Sequence, residues 1–549
     1  MKNMKTFKYI LFAGLLVLAA SCVDEIVESE IEAVSGKMIT ECVTAVVSNG
    51  DTKAKIADNG TFSWKVGDHI AVHVSNGDNH KYVFSSDPGA SGASGNSATA
   101  TFWIGYEEGY TRDAFAIYPS SLVSATTDFF GQSGKQLDVN LPKEYKIDQV
   151  SGTTTPCPMI AANSGDSWVF SQLCGLLRLK VSSIPEGTSY LKVDFNGRKV
   201  SGKFSIDAEV MPGTSTIASV VGTKGEDDFI LITGITTESS VDINIPLPTG
   251  APYRDLIVSA WNSNDCALKA LVMPFTYNAS NAKGKKITAE LKSGVFPIAT
   301  NTKYIVFSPG NLQAETKDYG GTNWSWVFAD DVKSKSSDGN ASINGAGSSS
   351  MQNCSVDLFS WVGNGTPYTL DVARYGITNS VDATYFAGET LASDWGQLAI
   401  GDYQPGTWRT PAANEWTYIA QWTLNYSGCA AATVNYIKGA VLLPMHFVLP
   451  DGLTYERIPT ELHYNSYSAD DWKKLESAGA VFLPLRGYRQ GNNVYDAQGA
   501  ENEMGYYWTS STRYPELASC GVFSSNLASN TRDDTPRYNG LCVRLIREL

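Results

Sequence analysis

The feature that most constrains this chain is a series of short segments in which polar and apolar residues alternate, each closed by Gly, Pro, Asn or Asp. Alternation with a period of two places apolar side chains on one face of a strand, and the closing residues favour turns. The pattern recurs through residues 37–295 and predicts strands at 62–64, 69–74, 114–118, 176–181, 191–195, 242–247 and 256–261. A mainly β fold is therefore expected.

The N-terminal residues have the layout of a signal peptide. Lys2, Lys5 and Lys8 give a positive start, and residues 9–20 form an unbroken run of small and apolar side chains. As a helix this run covers about 18 Å, whereas a bilayer core needs roughly 20 apolar residues. Residues 1–21 are therefore expected to direct export and not to span a membrane.

The predicted signal peptide ends in Leu-Ala-Ala-Ser-Cys at 18–22, which resembles the lipobox of bacterial lipoproteins. The resemblance implies cleavage before Cys22 and lipidation of its thiol. Several acyl chains would make attachment to the outer membrane effectively permanent. An ordinary secretory signal with a chance cysteine is the alternative.

An acidic stretch, predicted as a tether over residues 22–36, follows the cysteine, and no basic residue occurs in it before Lys37. It resembles the surface-export signal of Bacteroidota lipoproteins, which implies a protein exposed at the cell surface or built into a fimbria. A solvated linker is the plainer interpretation.

Length and charge limit the architecture and the partners. A chain of 549 residues is too long for one core, and about 150 residues per domain suggests three or four domains. The formal net charge of −14 disfavours nucleic acid and anionic lipid headgroups, because phosphate binding depends on clustered Lys and Arg. Membrane contact is expected through the lipid anchor only.

Four motifs in the first half resemble one family. They are Gly-Thr-Phe-Ser-Trp-Lys-Val-Gly-Asp at 60–68, Phe-Ala-Ile-Tyr-Pro at 115–119, Leu-Cys-Gly-Leu-Leu-Arg-Leu-Lys-Val at 173–181 and Ser-Gly-Lys-Phe-Ser-Ile at 201–206. Their order and spacing are similar to those of the fimbrillin-like lipoproteins of Bacteroidota. The resemblance implies two transthyretin-like β-sandwiches, placed at 37–165 and 166–295, and association with other fimbrial subunits. The motif residues themselves are interpreted as structural.

The second half, residues 296–549, is richer in Trp, Asn and Gly. Its motifs include Phe-Ser-Pro-Gly-Asn-Leu-Gln at 307–313, Gly-Thr-Trp-Arg-Thr-Pro at 406–411, Gly-Tyr-Arg at 487–489, Gly-Tyr-Tyr-Trp-Thr-Ser-Ser at 505–511 and Val-Arg-Leu at 543–545. Together they resemble an α+β domain related to the C-type-lectin and formylglycine-generating-enzyme fold. The shift in composition predicts that residues 296–549 fold as an independent unit.

Two helices and three core tryptophans are predicted in this half. The segment 410–415 resembles a helix start, with Thr410 as cap and Pro411 in the first turn. Residues 416, 419 and 420 would then share one face. A second helix is expected at 469–478, with positions 472 and 475 facing inward. Trp408, Trp416 and Trp508 are expected in the core.

Catalysis finds little support in the sequence. The five histidines belong to no HExxH motif, and neither a GxSxG motif nor a P-loop occurs. His69 and His73 stand four apart on a predicted strand, as two solvent-facing residues or, alternatively, as a metal pair. Catalytic residues, metal and cofactors are therefore each predicted as none. Cys520 and Cys542 lie in predicted strands that could face each other, as a disulfide or as two buried thiols.

One stretch near the C-terminus concentrates groups suited to recognition. Amide, carboxylate and guanidinium groups beside aromatic rings fit sugar hydroxyls, apolar sugar faces or a protein epitope. The predicted ligand-binding residues are Arg513, Tyr514, Arg532, Asp533, Asp534, Arg537, Tyr538 and Asn539. A solvated loop is the alternative.

These observations predict a surface-anchored adhesin, a fimbrial tip or accessory subunit with a C-terminal lectin-like head. Its expected partner is a glycan or protein on a host or bacterial surface. Two alternatives stay open: an anchored glycan-capture protein for polysaccharide uptake, and an unrecognised hydrolase.

The anchor is tested by Cys22→Ala. We expect this variant to lose acyl labelling and to be released or mislocalised, because no thiol remains for the lipid. Metabolic labelling with a fatty acid and membrane fractionation measure both effects. Unchanged labelling of the variant would refute the assignment of Cys22.

Overall fold

The fold is described from a computed structural model of the chain. It describes residues 37–47, 64, 67–85, 99–124, 136–147, 158–163, 167–207, 220–221, 225–235, 240–280, 284–299, 303–316, 324–330, 332, 354–361, 394–425, 428–456, 465–490, 493–495, 503–514, 517–524 and 530–549. The predicted signal peptide, Cys22 and the acidic tether lie outside these ranges. The chain is mainly β, as predicted.

The first β unit is one curled sheet. The strands from Met38 to Gln172 are β1 (Met38–Val47), β2 (Ala71–Asn76), β3 (Asn79–Phe84), β4 (Thr99–Glu107), β5 (Thr111–Tyr118), β6 (Gln136–Leu141), β7 (Glu144–Lys146), β8 (Met159–Asn163) and β9 (Ser167–Gln172). Seven of them pair in the order β3-β2-β5-β8-β9-β1-β4. Ser85, just after β3, bridges to Ile104 of β4, so the two edges of the sheet meet. Trp64 fills the interior, with the rings of Phe102, Tyr118 and Phe170 packed edge-on at 5.0–5.2 Å.

The second β unit has its core between two sheets. Its strands are β10 (Gly175–Ser182), β11 (Tyr190–Asp194), β12 (Gly202–Asp207), β13 (Val220–Val221), β14 (Phe229–Thr233), β15 (Ser240–Leu247), β16 (Tyr253–Trp261), β17 (Ala267–Tyr277), β18 (Gly284–Glu290) and β19 (Ser293–Gly294). The sheets β15-β10-β18 and β19-β17-β16-β11-β14-β7 enclose buried Leu, Ile and Val side chains, and a smaller sheet has the order β13-β12-β6.

Strand pairing crosses the division predicted at residue 165. Strands β6 and β7 pair with β12 and β14 of the second unit, whereas β8 and β9 return to the first sheet. Leu141 and Phe204 of the small sheet pack against Ile117 and Ile160 on the outer face of the first sheet. The two β units are therefore interleaved, and residue 165 does not separate their sheets.

In the described part of the C-terminal region, residues 296–549, short sheets combine with two α-helices. Its elements are β20 (Phe296–Pro297), β21 (Tyr304–Phe307), β22 (Leu312–Thr316), β23 (Trp324–Phe328), β24 (Cys354–Val356), α1 (Ala413–Asn425), β25 (Cys429–Val434), β26 (Ile437–Leu442), β27 (Asn465–Tyr467), α2 (Ala469–Ser477), β28 (Val481–Pro484), β29 (Tyr488–Gln490), β30 (Asn493–Tyr495), β31 (Met504–Tyr514), β32 (Leu517–Ser524), β33 (Asn530–Pro536) and β34 (Ile546–Glu548). The sheets are β20-β21-β34, β23-β22-β24, β27-β25-β26-β28, β29-β30 and β31-β32-β33. None of the helices in the described ranges is long and apolar enough to cross a membrane.

The predicted inward faces of both helices and the predicted core tryptophans are confirmed, whereas α1 begins at Ala413 and is not capped by Thr410. Helix α1 buries Trp416, Ile419 and Ala420, and α2 buries Trp472 and Leu475. The three predicted core tryptophans, 408, 416 and 508, are each at most 3% exposed. The helix faces follow from the spacing of apolar residues, which puts positions three and four apart on one side.

Helix α1 lies unusually close to β32 because of one glycine. A Cβ built on Gly521 would lie 1.2 Å from Nε1 of Trp416. The absence of a side chain therefore lets the Trp416 ring pack directly on the strand backbone, where its ring also contacts those of Tyr507 and Phe523. This contact fixes the sheet β31-β32-β33 against the core.

An apolar cluster joins the second β unit to the C-terminal region. Trp261 and Val272 of the second unit belong to the same buried cluster as Tyr304, Trp326 and Trp408. The rings of Trp261 and Tyr304 meet edge-on at 5.7 Å. Aromatic side chains contribute much of the buried area at interfaces, so a fragment that begins at residue 296 loses a substantial part of its core contacts.

A buried carboxylate adds polar contacts to this interface. Asp255 is fully buried, and its Oδ2 accepts a hydrogen bond from the Gln404 backbone N–H at 2.8 Å and another from the Thr407 hydroxyl. Arg547 donates to Asn196 Oδ1 at 2.9 Å, across the same interface. Asp255 has a φ of 59°, a left-handed conformation that aspartate tolerates better than most residues. Asp255 thus combines a left-handed backbone conformation with two hydrogen-bond donors, Gln404 and Thr407, in the C-terminal region.

We expect Asp255→Ala to lower the free energy of unfolding by about 2–3 kcal/mol, because two buried donors lose a charged acceptor. Asp265→Ala is the matched control, since Asp265 also has a positive φ (55°) and lies in the exposed turn between β16 and β17. Denaturant titration of the full chain measures both variants. An equal loss in the two variants would mean that backbone strain, and not the interface, accounts for the effect.

Candidate functional site: a tyrosine patch on the C-terminal region

The predicted ligand-binding stretch lies on the sheet β31-β32-β33. Strand β33 is an edge strand, and its pairing with β32 is interrupted by an irregularity between Ala518 and Cys520. Asp533 and Asp534 fall at this bulge. A bulge changes which way successive side chains point, so these neighbours have different surroundings. Arg513 belongs to β31, but its side chain lies outside the described residues.

Two of the predicted ligand-binding residues are buried, which corrects their assignment. Arg537 is 3% exposed, donates to the Tyr514 carbonyl at 2.9 Å and lies 4.4 Å above the Trp361 ring. Asn539 is 9% exposed, and its backbone N–H donates to the Pro536 carbonyl at 3.0 Å. Both residues close the turn after β33, so neither side chain is presented to a ligand.

Three others, Tyr514, Asp533 and Tyr538, are at least partly exposed. Tyr514 is 52% exposed at the far end of β31. Asp533 Oδ1 accepts a hydrogen bond from the Ser519 hydroxyl at 2.7 Å, and the Tyr538 carbonyl accepts one from Ser360 at 3.3 Å. These contacts stabilise the hairpin and the following turn.

The remaining two, Arg532 and Asp534, belong to an exposed cluster that also contains three tyrosines. Arg532 pairs with Asp534 at 3.2 Å, and their side chains are 49% and 67% exposed. Tyr506 lies beside Arg532, and its ring meets that of Tyr488 edge-on at 5.5 Å. Tyr488 stacks on Tyr495 at 4.7 Å. We call these five residues the tyrosine patch.

The tyrosine patch is held in place by strand pairing. Tyr488 and Tyr495 are directly opposite each other in the β29-β30 hairpin. Gly487 bridges this hairpin to Gly505, the residue before Tyr506. The rings therefore follow one another from the hairpin onto β31, and Tyr495, 45% exposed, is the outermost.

Two groups of the patch have shifted pKa values. Partial burial raises the pKa of Tyr506, an effect that the charge of Arg532 partly offsets. The hydrogen bond to Asp534 raises the pKa of Arg532. The Tyr506 hydroxyl therefore stays neutral and the Arg532 guanidinium stays charged near neutral pH. The patch offers aromatic faces, hydroxyls and one ion pair together.

Sequence reasoning found the charged half of the patch and missed the tyrosines. The motif Gly-Tyr-Arg at 487–489 was attributed to the fold, and Tyr495 carried no motif. The available signal was the tyrosine at both ends of a short segment, residues 488–495, which pairs them when the segment forms a hairpin.

The histidine and cysteine hypotheses have different outcomes. His73 is fully buried and stacks on His80 at 5.3 Å, so the interpretation as a solvent-facing residue is wrong. His73 lies on the same face of β2 as Ala71, and its neighbour Tyr82 belongs to the buried cluster on that outer face, so both faces of the strand are covered. Within the described ranges no three His, Cys, Asp or Glu residues form a metal-binding group. Cys520 and Cys542 are both buried, and burial raises the pKa of Cys520 to about 11.

No protein-family model matches the sequence, and no curated protein matches it. Three similar solved structures are a candidate cell adhesion protein from Bacteroides ovatus (13% identity, TM-score 0.28, 45% of this chain and 91% of that chain), another from Bacteroides uniformis (14%, 0.22, 44% and 98%) and the tip fimbrial protein Mfa3 from Porphyromonas gingivalis with C-terminal truncation (12%, 0.18, 43% and 81%). At these identities and TM-scores the likeness carries no argument about the site.

Because Arg537 is buried and Arg532 is exposed, replacing them is expected to change the free energy of unfolding by different amounts. We expect Arg537→Ala to lower the free energy of unfolding by about 2–4 kcal/mol, because buried carbonyls lose a charged donor and Trp361 loses its cation. We expect Arg532→Ala to change it by less than about 1 kcal/mol, because exposed ion pairs contribute little. Denaturant titration decides this. A destabilisation by Arg532→Ala as large as that by Arg537→Ala would contradict the division.

Proposed function

We propose that the chain is a cell-surface adhesin that binds glycan through the tyrosine patch of its C-terminal region. The observation that carries the proposal is the continuous set of tyrosines ending at an exposed arginine–aspartate pair. Tyrosine rings can contact the apolar faces of sugars, and hydroxyl, guanidinium and carboxylate groups can hydrogen-bond sugar hydroxyls. A protein epitope on a host or bacterial surface would use the same groups.

The proposed location is the outer surface of the bacterium, with a lipid on Cys22 as anchor. The lipobox-like segment and the acidic tether support export and anchoring. The interleaved β units would then form the base that carries the C-terminal region away from the membrane. The lectin-like character of that region rests on its sequence motifs.

Within a fimbria we propose a tip or accessory position. A repeating stalk subunit that supplies a strand to its neighbour needs a strand that its own fold does not use. Here β34 pairs with β21 inside the C-terminal region. Strand β34 is therefore used by its own fold and not by a neighbouring subunit, which supports a position at the end of a polymer or beside it.

The two alternative functions make different demands on the same surface. A hydrolase of glycosides needs two carboxylates about 5–10 Å apart, whereas the tyrosine patch contains one, Asp534, which is engaged by Arg532. A glycan-capture lipoprotein would also use the patch, but it would bind soluble polysaccharide and would not co-purify with fimbriae.

The test is a glycan array probed with the full chain, followed by titration of the best-bound glycan against single variants. We expect Tyr495→Ala and Arg532→Ala each to weaken binding by roughly 5- to 150-fold, the effect of losing an ordinary strong contact. The matched control is Tyr514→Ala, an equally exposed tyrosine outside the patch, which should leave affinity unchanged.

Melting temperatures of all three variants are measured alongside, so that loss of binding is separated from loss of folding. Binding that persists in both patch variants, or that disappears equally in Tyr514→Ala, would contradict the proposal. Cleavage of the bound glycan, detected as newly released sugars, would instead favour the hydrolase.

A further inference from the structure

A cavity of about 380 Å³ lies in the C-terminal region, apart from the tyrosine patch. It is bordered by α2, by the end of β23 and by β28, and none of the five patch residues lines it. Its volume falls in the range of about 300–1,000 Å³ that is usual for small-ligand sites.

The apolar walls of the cavity are well supported. Trp472 of α2 and Phe482 of β28 both line it, and their rings pack at 5.6 Å. Phe328 at the end of β23 is held by the rings of Tyr403 and Trp408 at 5.8 and 5.6 Å. These contacts fix the walls before any ligand arrives, and a preformed site loses less conformational entropy on binding.

The cavity also has charged lining residues of both signs. Arg544 is 3% exposed and donates to Asn311 Oδ1 at 3.4 Å. Lys473 of α2 is an exposed second cation, and Asp330 and Glu476 are exposed carboxylates. Arg544 is thus the buried member of the set, whereas Lys473 and the two carboxylates lie toward solvent.

We infer that this cavity binds an acidic monosaccharide, a pyranose that carries a carboxylate. A buried guanidinium suits a planar carboxylate, because two of its N–H donors match the two carboxylate oxygens. The aromatic and aliphatic walls accept the apolar face of the ring. Asp330 and Glu476 are acceptors for the sugar hydroxyls nearer the opening.

The full chain is titrated with glucuronate and with two control probes. Glucose lacks the carboxylate, and acetate lacks the sugar ring. We expect saturable binding of glucuronate by calorimetry or ligand-observed NMR, and binding of glucose and of acetate at least about 10-fold weaker. Equal binding of glucose and glucuronate would overturn the carboxylate assignment, as would no binding of glucuronate at millimolar concentration.

Two variants place the binding in this cavity. Ala469→Phe fills the space from the first residue of α2, which is only partly buried, and Arg544→Lys keeps the charge but loses the two-pronged donor. Both are expected to weaken glucuronate binding about 10-fold or more. If both variants bind as the unchanged chain does, the cavity is not the site.

The charged rim has a matched pair of variants. Lys473 and Lys474 are adjacent in α2, and each pairs with an aspartate three residues earlier, but only Lys473 lines the cavity. Lys473→Ala should weaken glucuronate binding, and Lys474→Ala should not. Loss of glucuronate binding in Tyr495→Ala would show that the acidic sugar binds at the tyrosine patch. That result would overturn this inference without affecting the proposed function.

Discussion

The contact between the second β unit and the C-terminal region is the constraint on which the rest of the structure depends. Its apolar part, around Trp261 and Tyr304, is non-directional and would hold the two regions together in several orientations. The Asp255 carboxylate selects one of them, because it accepts from Gln404 and Thr407 only when both face it. Separating these donors from a buried acceptor costs free energy, so this contact sets the orientation that the apolar cluster makes stable.

The same interface positions the candidate binding surfaces. Tyr403 and Trp408 contribute to the interface cluster and also hold Phe328, a wall of the α2 cavity. Partly buried Tyr488 and Tyr506 of the tyrosine patch pack against this cluster as well. Surfaces attached to such a core stay preorganised. A force applied to either surface would therefore pass through this packed interface into the second β unit.

Local patterns in the sequence predicted many of the strands and helices. They did not predict which strands pair across long distances in the sequence. The alternation at 176–181 and 256–261 matches β10 and β16, whereas α1 begins at Ala413, three residues after the predicted cap Thr410. In contrast, residues 136–146 gave no local sign that they pair with β12 and β14 of the next unit. Packing in three dimensions decides which strands pair, and the sequence pattern of a strand is the same whichever sheet the strand joins.

The candidate site was half predictable for the same reason. Arg532 and Arg537 look alike in sequence, and only the position of Trp361 distinguishes them.

Burial of arginines changes what the net charge means for recognition. Arg486, Arg489 and Arg544 are each at most 3% exposed, so their charges lie inside a chain whose formal total is −14. Burial lowers the pKa of Arg489 to about 10, yet the group stays charged near neutral pH. The surface is thus more acidic than the total suggests, which disfavours attraction of anions from a distance. Screening limits that repulsion to about 8 Å at physiological salt, whereas a buried guanidinium acts strongly on a group in direct contact with it. An acidic protein can therefore select an acidic ligand, provided that recognition occurs through direct contact with a buried cation and not through long-range steering.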